Sequence, residues 1–120
     1  MMAKAYFVTG IGTDVGKTVV SSILVNLLKA DYWKPIQAGD LHFTDSMKIE
    51  KWCEGVHIHP ERFRLTQPMS PHAAAERDNV EIHLKNFCLP NTENHLIVEG
   101  AGGLLVPLND NQMIIDLIQY

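Results

Sequence analysis

The sequence predicts an α/β domain in which a parallel β-sheet carries helices on both faces. Short apolar runs rich in β-branched and aromatic residues recur along the chain, which is typical of strands buried on both sides. Stretches with helical apolar spacing lie between these runs, and a glycine-rich turn follows two of them. Strands that alternate with helices in this way indicate a parallel sheet.

The first elements are a strand, a helix and a second strand. "AYFVTG" (Ala5–Gly10) predicts a buried strand. A helix over Gly16–Ala30 is predicted from five apolar residues at helical spacing: Val20, Ile23, Leu24, Leu27 and Leu28. "YWKPIQAG" (32–39) predicts one short strand, and Pro35 places it near an edge or near its own end.

Capping residues mark the later helices. Thr44 is a candidate N-cap for a helix over Asp45–Trp52, and Ser70 with Pro71 has the pattern of a helix start. The remaining predictions are a weaker helix over Val80–Phe87, a buried strand over His95–Gly100, a short strand over 104–108 and a helix from 113 onward.

Length and composition narrow the class of protein. The 120 residues predict one domain spanning 1–120, and 46% hydrophobic with 20% charged residues is ordinary for a soluble globular chain. The net charge of −4 and the lack of a basic patch argue against a nucleic-acid partner. The short apolar N-terminus predicts neither a signal peptide nor a membrane partner. Cys53 and Cys88 lie far apart, which favours reduced thiols and a cytoplasmic location.

The turn after the first strand has the chemistry of a phosphate-binding loop. "GIGTDVGKT" (10–18) ends in Gly-Lys-Thr, although the usual G-x-x-x-x-G-K-[ST] pattern would place a glycine at Ile11. Its glycines allow close approach to phosphate, and the helix N-terminus adds positive charge. Lys17 can reach the β- and γ-phosphates as an exposed loop lysine, and Thr18 can bind Mg²⁺. The predicted fold is therefore a P-loop NTPase-like sheet that binds a nucleotide through its phosphates.

Acidic residues for a metal ion are sought at the ends of the parallel strands, where ligands bind. Glu99 ends the strand "LIVE" and opens a second glycine-rich turn, "EGAGG". Asp45 and Asp40 are both candidates for a second acid, and spacing does not choose between them. Taken alone, each is more commonly a helix cap or a turn residue. Lys34 could hold an anionic substrate oxygen facing the γ-phosphate, although a solvated lysine is the commoner case.

The "HIHP" segment (57–60) offers two histidines on one face of a strand. Zinc sites need three or four ligands, and no third ligand is near in sequence. We therefore interpret this segment as a polar loop.

Taken together, the motifs resemble dethiobiotin synthetase. "YFVTGIGTDVGKT", "KPIQAG", "TDS", "SPHAAA" and "VEGAGG" followed by "PL" occur in the order found in that family. The resemblance covers the whole chain but only the N-terminal part of a family-length protein. In the family's longer loop, Gly10 replaces the glycine missing at position 11.

The resemblance implies that ATP, CO₂ and 7,8-diaminononanoate give dethiobiotin, ADP and phosphate, in a cytoplasmic homodimer that requires Mg²⁺. Lys17 and Lys34 would be the catalytic residues, and Thr18, Asp45 and Glu99 would surround Mg²⁺, so the family selects Asp45 over Asp40. The predicted nucleotide contacts are Asp14, Val15, Gly16, Lys17, Thr18, Val19, Asp45, Glu99, Gly100, Ala101 and Gly102.

Two departures from the family qualify this prediction. Ala38 stands where many members have a substrate-binding Ser or Thr, so one hydrogen bond is missing. The chain also stops where family members continue, so we expect a sheet incomplete at the C-terminus, without the adenine-recognition segment and without strands beside "HLIVEG". The alternatives are a truncated, non-catalytic nucleotide-binding module and another P-loop ATPase. A partitioning-type ATPase is disfavoured because Gly12 replaces its signature lysine.

Overall fold

The computed structural model describes residues 4–10, 16–102, 108–109, 111–112 and 118. Its strands are β1 (Ala5–Val8), β2 (Asp31–Trp33), β3 (Ile36–Ala38), β4 (Ile58–His59), β5 (Phe63–Leu65) and β6 (Leu96–Glu99). Its helices are α1 (Lys17–Leu28), α2 (Asp45–Trp52) and α3 (Pro71–Arg77), and one 3₁₀ turn spans Leu84–Asn86.

Four parallel strands form the main sheet in the order β1-β6-β2-β4, and β3 pairs with β5 in a separate parallel sheet. Leu96 of β6 lies opposite Ala5 on one side and Asp31 on the other. The expectation that strands are missing beside "HLIVEG" is therefore wrong, because both sides of β6 are paired. In the described part of the chain, the open edges of the main sheet are those of β1 and β4.

Pro35 divides the single strand predicted over 32–39. Proline has no N–H for a ladder hydrogen bond, and the chain changes sheets at this residue, from β2 to β3. The Pro35 carbonyl accepts hydrogen bonds from the amides of Arg62 and Phe63, at 2.8 and 3.0 Å. These bonds lead β5 into register with β3, with Ile36 opposite Phe63.

Two apolar cores lie on opposite faces of the main sheet, because successive side chains of a strand point to opposite faces. Leu96 and Val98 of β6 belong to one core, and Ile97 belongs to the other. The first core also includes side chains of β3, β5 and α3: Ile36, Phe63, Leu65, Ala74 and Ala75. The second includes side chains of α1 and α2: Val25 and Ile49. The predicted parallel sheet with helices on both faces is confirmed.

Helix α1 forms as predicted, but most of its large apolar side chains face outward. Val20, Ile23, Leu27 and Leu28 are exposed, whereas Ser21, Ser22 and Val25 are buried. Ser22 lies against α2, where its carbonyl oxygen is 3.4 Å from the Cys53 sulfur. The buried face of α1 is therefore formed largely by small side chains rather than by the apolar residues of the predicted spacing.

The capping residues predicted the start of two helices correctly. The Thr44 hydroxyl accepts a hydrogen bond from the Met47 amide at 3.2 Å, and α2 has the predicted bounds. Helix α3 begins at Pro71 after Ser70, although the Ser70 side chain makes no capping bond. The helix predicted over Val80–Phe87 is wrong, since only the 3₁₀ turn forms there.

Two short strands were not predicted. Residues 58–59 of "HIHP" form β4 rather than a polar loop, and the rings of His57 and His59 stack with centroids 4.5 Å apart. β5 lies where the sequence analysis predicted no strand or helix. The predicted strand over 104–108 and helix from 113 fall almost entirely outside the described residues.

Asp31 fastens the amino end of β2 to two neighbouring segments. Its buried carboxylate accepts hydrogen bonds from the Thr92 hydroxyl at 2.6 Å and the Asn94 side-chain amide at 3.0 Å. Nε2 of His59 lies 2.9 Å from Oδ2. Burial alone would raise the pKa of Asp31, but these hydrogen bonds and the nearby His59 outweigh burial and hold that pKa below its usual value.

Asp31→Asn should lower the free energy of unfolding at neutral pH by about 1–3 kcal/mol, because buried donors lose a charged acceptor. A lowered folded-state pKa stabilises the fold above the unfolded pKa, near 4, and this contribution disappears as pH falls through the folded pKa. Urea denaturation should therefore show the difference between wild type and variant shrinking below about pH 4. The exposed Asp40→Asn is the matched control. A difference for Asp31→Asn that does not change with pH would contradict this explanation.

Candidate functional site

Helix α1 begins after a glycine, so its N-cap residue offers no side chain to the first amides of the helix. Gly16 is the N-cap residue in the left-handed conformation, with φ 87°, and it makes no side-chain cap. The first amides of a helix have no acceptor within the helix, and together with the helix dipole they favour a bound anion. Gly16, Lys17, Thr18 and Val19 all line one cavity at this end of the helix. The predicted contacts Asp14 and Val15 lie outside the described residues.

Lys17 joins the two glycine-rich turns of the sequence. Its Nζ donates a hydrogen bond to the carbonyl oxygen of Gly102 at 2.9 Å. The prediction of an exposed loop lysine is wrong, because Lys17 is the first residue of α1 and is 9% exposed. Residues 85 positions apart are thus held together at the carboxyl ends of β1 and β6.

Glu99 is a buried carboxylate rather than a surface or capping residue, since it is only 1% exposed at the end of β6. Its Oε1 accepts a hydrogen bond from the Tyr32 hydroxyl at 2.9 Å. Its Oε2 accepts one from the Thr18 hydroxyl at 2.8 Å and one from Lys34 Nζ at 3.3 Å. Burial, together with the charge of Glu99, raises the pKa of Tyr32, so its hydroxyl remains a donor.

Lys34 connects Glu99 with Asp45. Its buried Nζ forms an ion pair with Asp45 Oδ2 as well as with Glu99. Burial would raise the pKa of Asp45, but the Lys34 ammonium, aided by Lys48, holds that pKa below its usual value. Asp40 lies instead in an exposed turn with a positive φ of 50°, where its carbonyl accepts from the Phe43 amide. The geometry groups Asp45, and not Asp40, with Glu99.

The oxygen atoms near Lys34 suit a hard divalent cation. Mg²⁺ prefers carboxylate and other oxygen ligands, and Asp45, Glu99 and Thr18 supply two carboxylates and a hydroxyl. The ammonium of Lys34 already lies between the two carboxylates, so one positive charge can be shared by both. Over the residues that the structure describes, no three His, Cys, Asp or Glu side chains form a metal site on their own.

These side chains face a cavity of about 640 Å³. Ala38, the predicted substrate contact, is half-buried in its wall, as is Gly102, and Ala101 is buried there. Gly100 does not line the cavity, because it is buried where an added Cβ would lie 2.8 Å from the ring of Phe7. The lining also includes the segment that leads into α3: Pro68, Met69, Ser70 and Pro71.

Besides the wall residues Pro68, Met69, Ser70 and Pro71, sequence reasoning missed four residues at this site. Lys48 and Trp52 line the cavity, and the helix predicted over Asp45–Trp52 could have placed them there, since they lie one turn apart. Buried Gln37 accepts a hydrogen bond from the Asp45 amide at 3.2 Å. Tyr32 carried no signal in the sequence, because a tyrosine in a buried strand is ordinarily a core residue.

Residues 4–120 match the family described as AAA domain. The chain is 56% identical over 119 residues to the ATP-dependent dethiobiotin synthetase of Christiangramia forsetii. The matched region covers 98% of this chain and 58% of that protein. The enzyme of the same name from Cytophaga hutchinsonii is 57% identical over 118 residues, covering 96% and 57%. That from Paramagnetospirillum magneticum is 45% identical over 116 residues, covering 97% and 57%.

The resemblance indicated by the motifs is thereby confirmed. The chain spans about half the length of the curated relatives it matches. None of the helices in the described ranges is long and apolar enough to cross a membrane.

Lys34→Met should lower the free energy of unfolding by about 3–5 kcal/mol, because it leaves the buried carboxylates of Glu99 and Asp45 without their shared cation. The double variant Lys34→Met/Glu99→Gln should recover part of this loss, since it removes one of the uncompensated charges. Urea denaturation at neutral pH measures both. A double variant less stable than Lys34→Met alone would contradict the ion cluster described above.

Proposed function

This chain belongs to the AAA domain family, and from that premise we propose that it is part of an ATP-dependent dethiobiotin synthetase. The observation that carries the proposal is the ion cluster in which Lys34 joins Asp45 and Glu99 beside the N-terminus of α1. The relatives that bear this name match nearly the whole chain. A phosphate-binding helix end next to a lysine and two carboxylates suits phosphoryl transfer from ATP.

The proposed reaction closes a ureido ring from 7,8-diaminononanoate and CO₂. One amine attacks CO₂ and loses a proton, which gives a carbamate. A carbamate oxygen then attacks the γ-phosphorus of ATP, and ADP leaves, so that a carbamic-phosphoric anhydride forms. The second amine attacks the carbonyl carbon, loses a proton and expels phosphate as the ring closes.

The residues of the cavity divide between these tasks. We assign nucleotide phosphates to the first turn of α1 and to Ala101 and Gly102, with Gly100 and the predicted Asp14 and Val15 retained as expected contacts. Lys17 would face the β- and γ-phosphates. Lys34 would face the carbamate and the transferred phosphoryl group, where a fixed cation stabilises the charge that develops. Ala38, which lines the cavity, would face the diamine.

Thr18, Asp45 and Glu99 are the residues that would hold Mg²⁺, with phosphate oxygens and water completing the set. When bound, Mg²⁺ would neutralise charge on the phosphates. Asp45 already has a lowered pKa and is therefore ionised at neutral pH, as a metal ligand must be.

The homodimer and the cytoplasmic location are predictions that rest on the family resemblance alone. A second candidate function is a nucleotide-binding module without turnover, since a helix N-terminus that lines the cavity suits phosphate binding by itself. Turnover that depends on diamine distinguishes the two functions.

The complete protein that carries this chain should release phosphate from ATP only when 7,8-diaminononanoate and bicarbonate are both present. Lys17→Gln should lower kcat by about 100- to 1,000-fold, because it removes a cation that stabilises the transferring phosphoryl group. Glutamine removes the charge and retains an N–H donor, although its side chain is one bond shorter than that of lysine. Lys51→Gln, an exposed change on α2, is the control. Phosphate release at the same rate with and without the diamine would contradict the proposed function.

Asp45→Asn should raise the Mg²⁺ concentration that gives half-maximal turnover by about 10-fold, because Mg²⁺ prefers a charged oxygen ligand. The matched control is Asp40→Asn, which removes a carboxylate from the same cavity without touching the ion cluster. Turnover is measured across a Mg²⁺ titration at fixed ATP. If Asp40→Asn has the larger effect, the assignment of the second acid is wrong.

A further inference from the structure

Tyr32 contacts Glu99 from the side away from the cavity. The two oxygens of the Glu99 carboxylate have different partners: Oε1 accepts from the Tyr32 hydroxyl, and Oε2 accepts from Thr18 and Lys34. The oxygen that faces Thr18 and Lys34 is thus on the cavity side, since both of these residues line the cavity and Tyr32 does not. We propose that Tyr32 is a positioning residue that holds Glu99 with Oε2 directed toward the metal and phosphate side of the site.

The ring of Tyr32 is suited to this task because it is held on all sides. Its side chain is fully buried at 0% exposure, in the core formed with Val8, Val25 and Ile49. Its backbone is paired on both sides, opposite Ile97 of β6 and Ile58 of β4. A side chain locked by packing can fix the orientation of the group that it hydrogen-bonds.

An ordinary structural role would predict something different. A buried tyrosine needs an acceptor for its hydroxyl, and Glu99 could serve only to satisfy that need. In that case, loss of the hydroxyl would change stability but leave the affinity of the site for a divalent cation unchanged. Residues that orient a metal ligand typically contribute 10- to 100-fold in metal affinity, so the two roles are separable by direct measurement.

The test is Tyr32→Phe in the complete protein, which keeps the ring and removes the hydroxyl. Tyr6→Phe is the matched control, because Tyr6 also lies in the main sheet but is 41% exposed and packs near His95. Binding of Mn²⁺ to the protein with ADP is followed by electron paramagnetic resonance, and thermal unfolding is recorded for each variant. We expect Tyr32→Phe to weaken Mn²⁺ binding by about 10-fold, and to raise the half-maximal Mg²⁺ concentration for turnover more than it lowers kcat.

The outcomes separate this inference from the proposed function on which it rests. If Glu99→Gln weakens Mn²⁺ binding and Tyr32→Phe does not, Tyr32 is a core residue only, and the proposed metal site stands. If Tyr32→Phe lowers thermal stability while Mn²⁺ affinity and the half-maximal Mg²⁺ concentration match those of Tyr6→Phe, the positioning role is likewise overturned. If Glu99→Gln binds Mn²⁺ as wild type does, the metal assignment of the proposed function is wrong and the inference falls with it.

Discussion

The buried carboxylate of Glu99 is the group on which the arrangement of the site depends. An ionised carboxylate taken out of water costs several kcal/mol unless charged or polar partners compensate. Glu99 is 1% exposed, and its partners come from α1, from within β2 and from the residue after β2. Satisfying one buried charge therefore draws two separate segments of the chain, the start of α1 and the end of β2, to the carboxyl end of β6.

The path of the chain after β2 brings the second carboxylate to the same place. Pro35 ends the ladder just after Lys34, so the next residues leave the main sheet and form β3. Gln37 on β3 then accepts a hydrogen bond from the amide of Asp45, the first residue of α2. Because the start of α2 is held in this way, Asp45 reaches the Lys34 ammonium, and one lysine serves two acids.

β2 connects the site to the stability of the fold. Asp31 at its amino end gathers Thr92, Asn94 and His59, while Lys34 follows its carboxyl end and contacts Glu99. Tyr32 lies between them and reaches Glu99 from the core side. The groups that secure the sheet thus lie at the amino end of β2, and the groups that face the cavity lie at its carboxyl end. This is expected for parallel strands whose carboxyl ends carry the ligand site.

The sequence by itself determined the features that depend on neighbouring residues. The glycine-rich loop, the first turn of α1 with Lys17 and Thr18, and the bounds of α2 all follow from local spacing and capping, and Glu99 follows from its place at a strand end. Spacing left Asp40 and Asp45 equal, and only the family resemblance chose between them.

The tertiary structure decided what depends on distant contacts. It buried Lys17 against Gly102, turned the apolar residues of α1 outward, formed β4 and β5 by pairing, and brought the Tyr32 hydroxyl to a carboxylate 67 residues away. Such contacts join side chains that only the packing of the whole chain brings together, so no local pattern could indicate them.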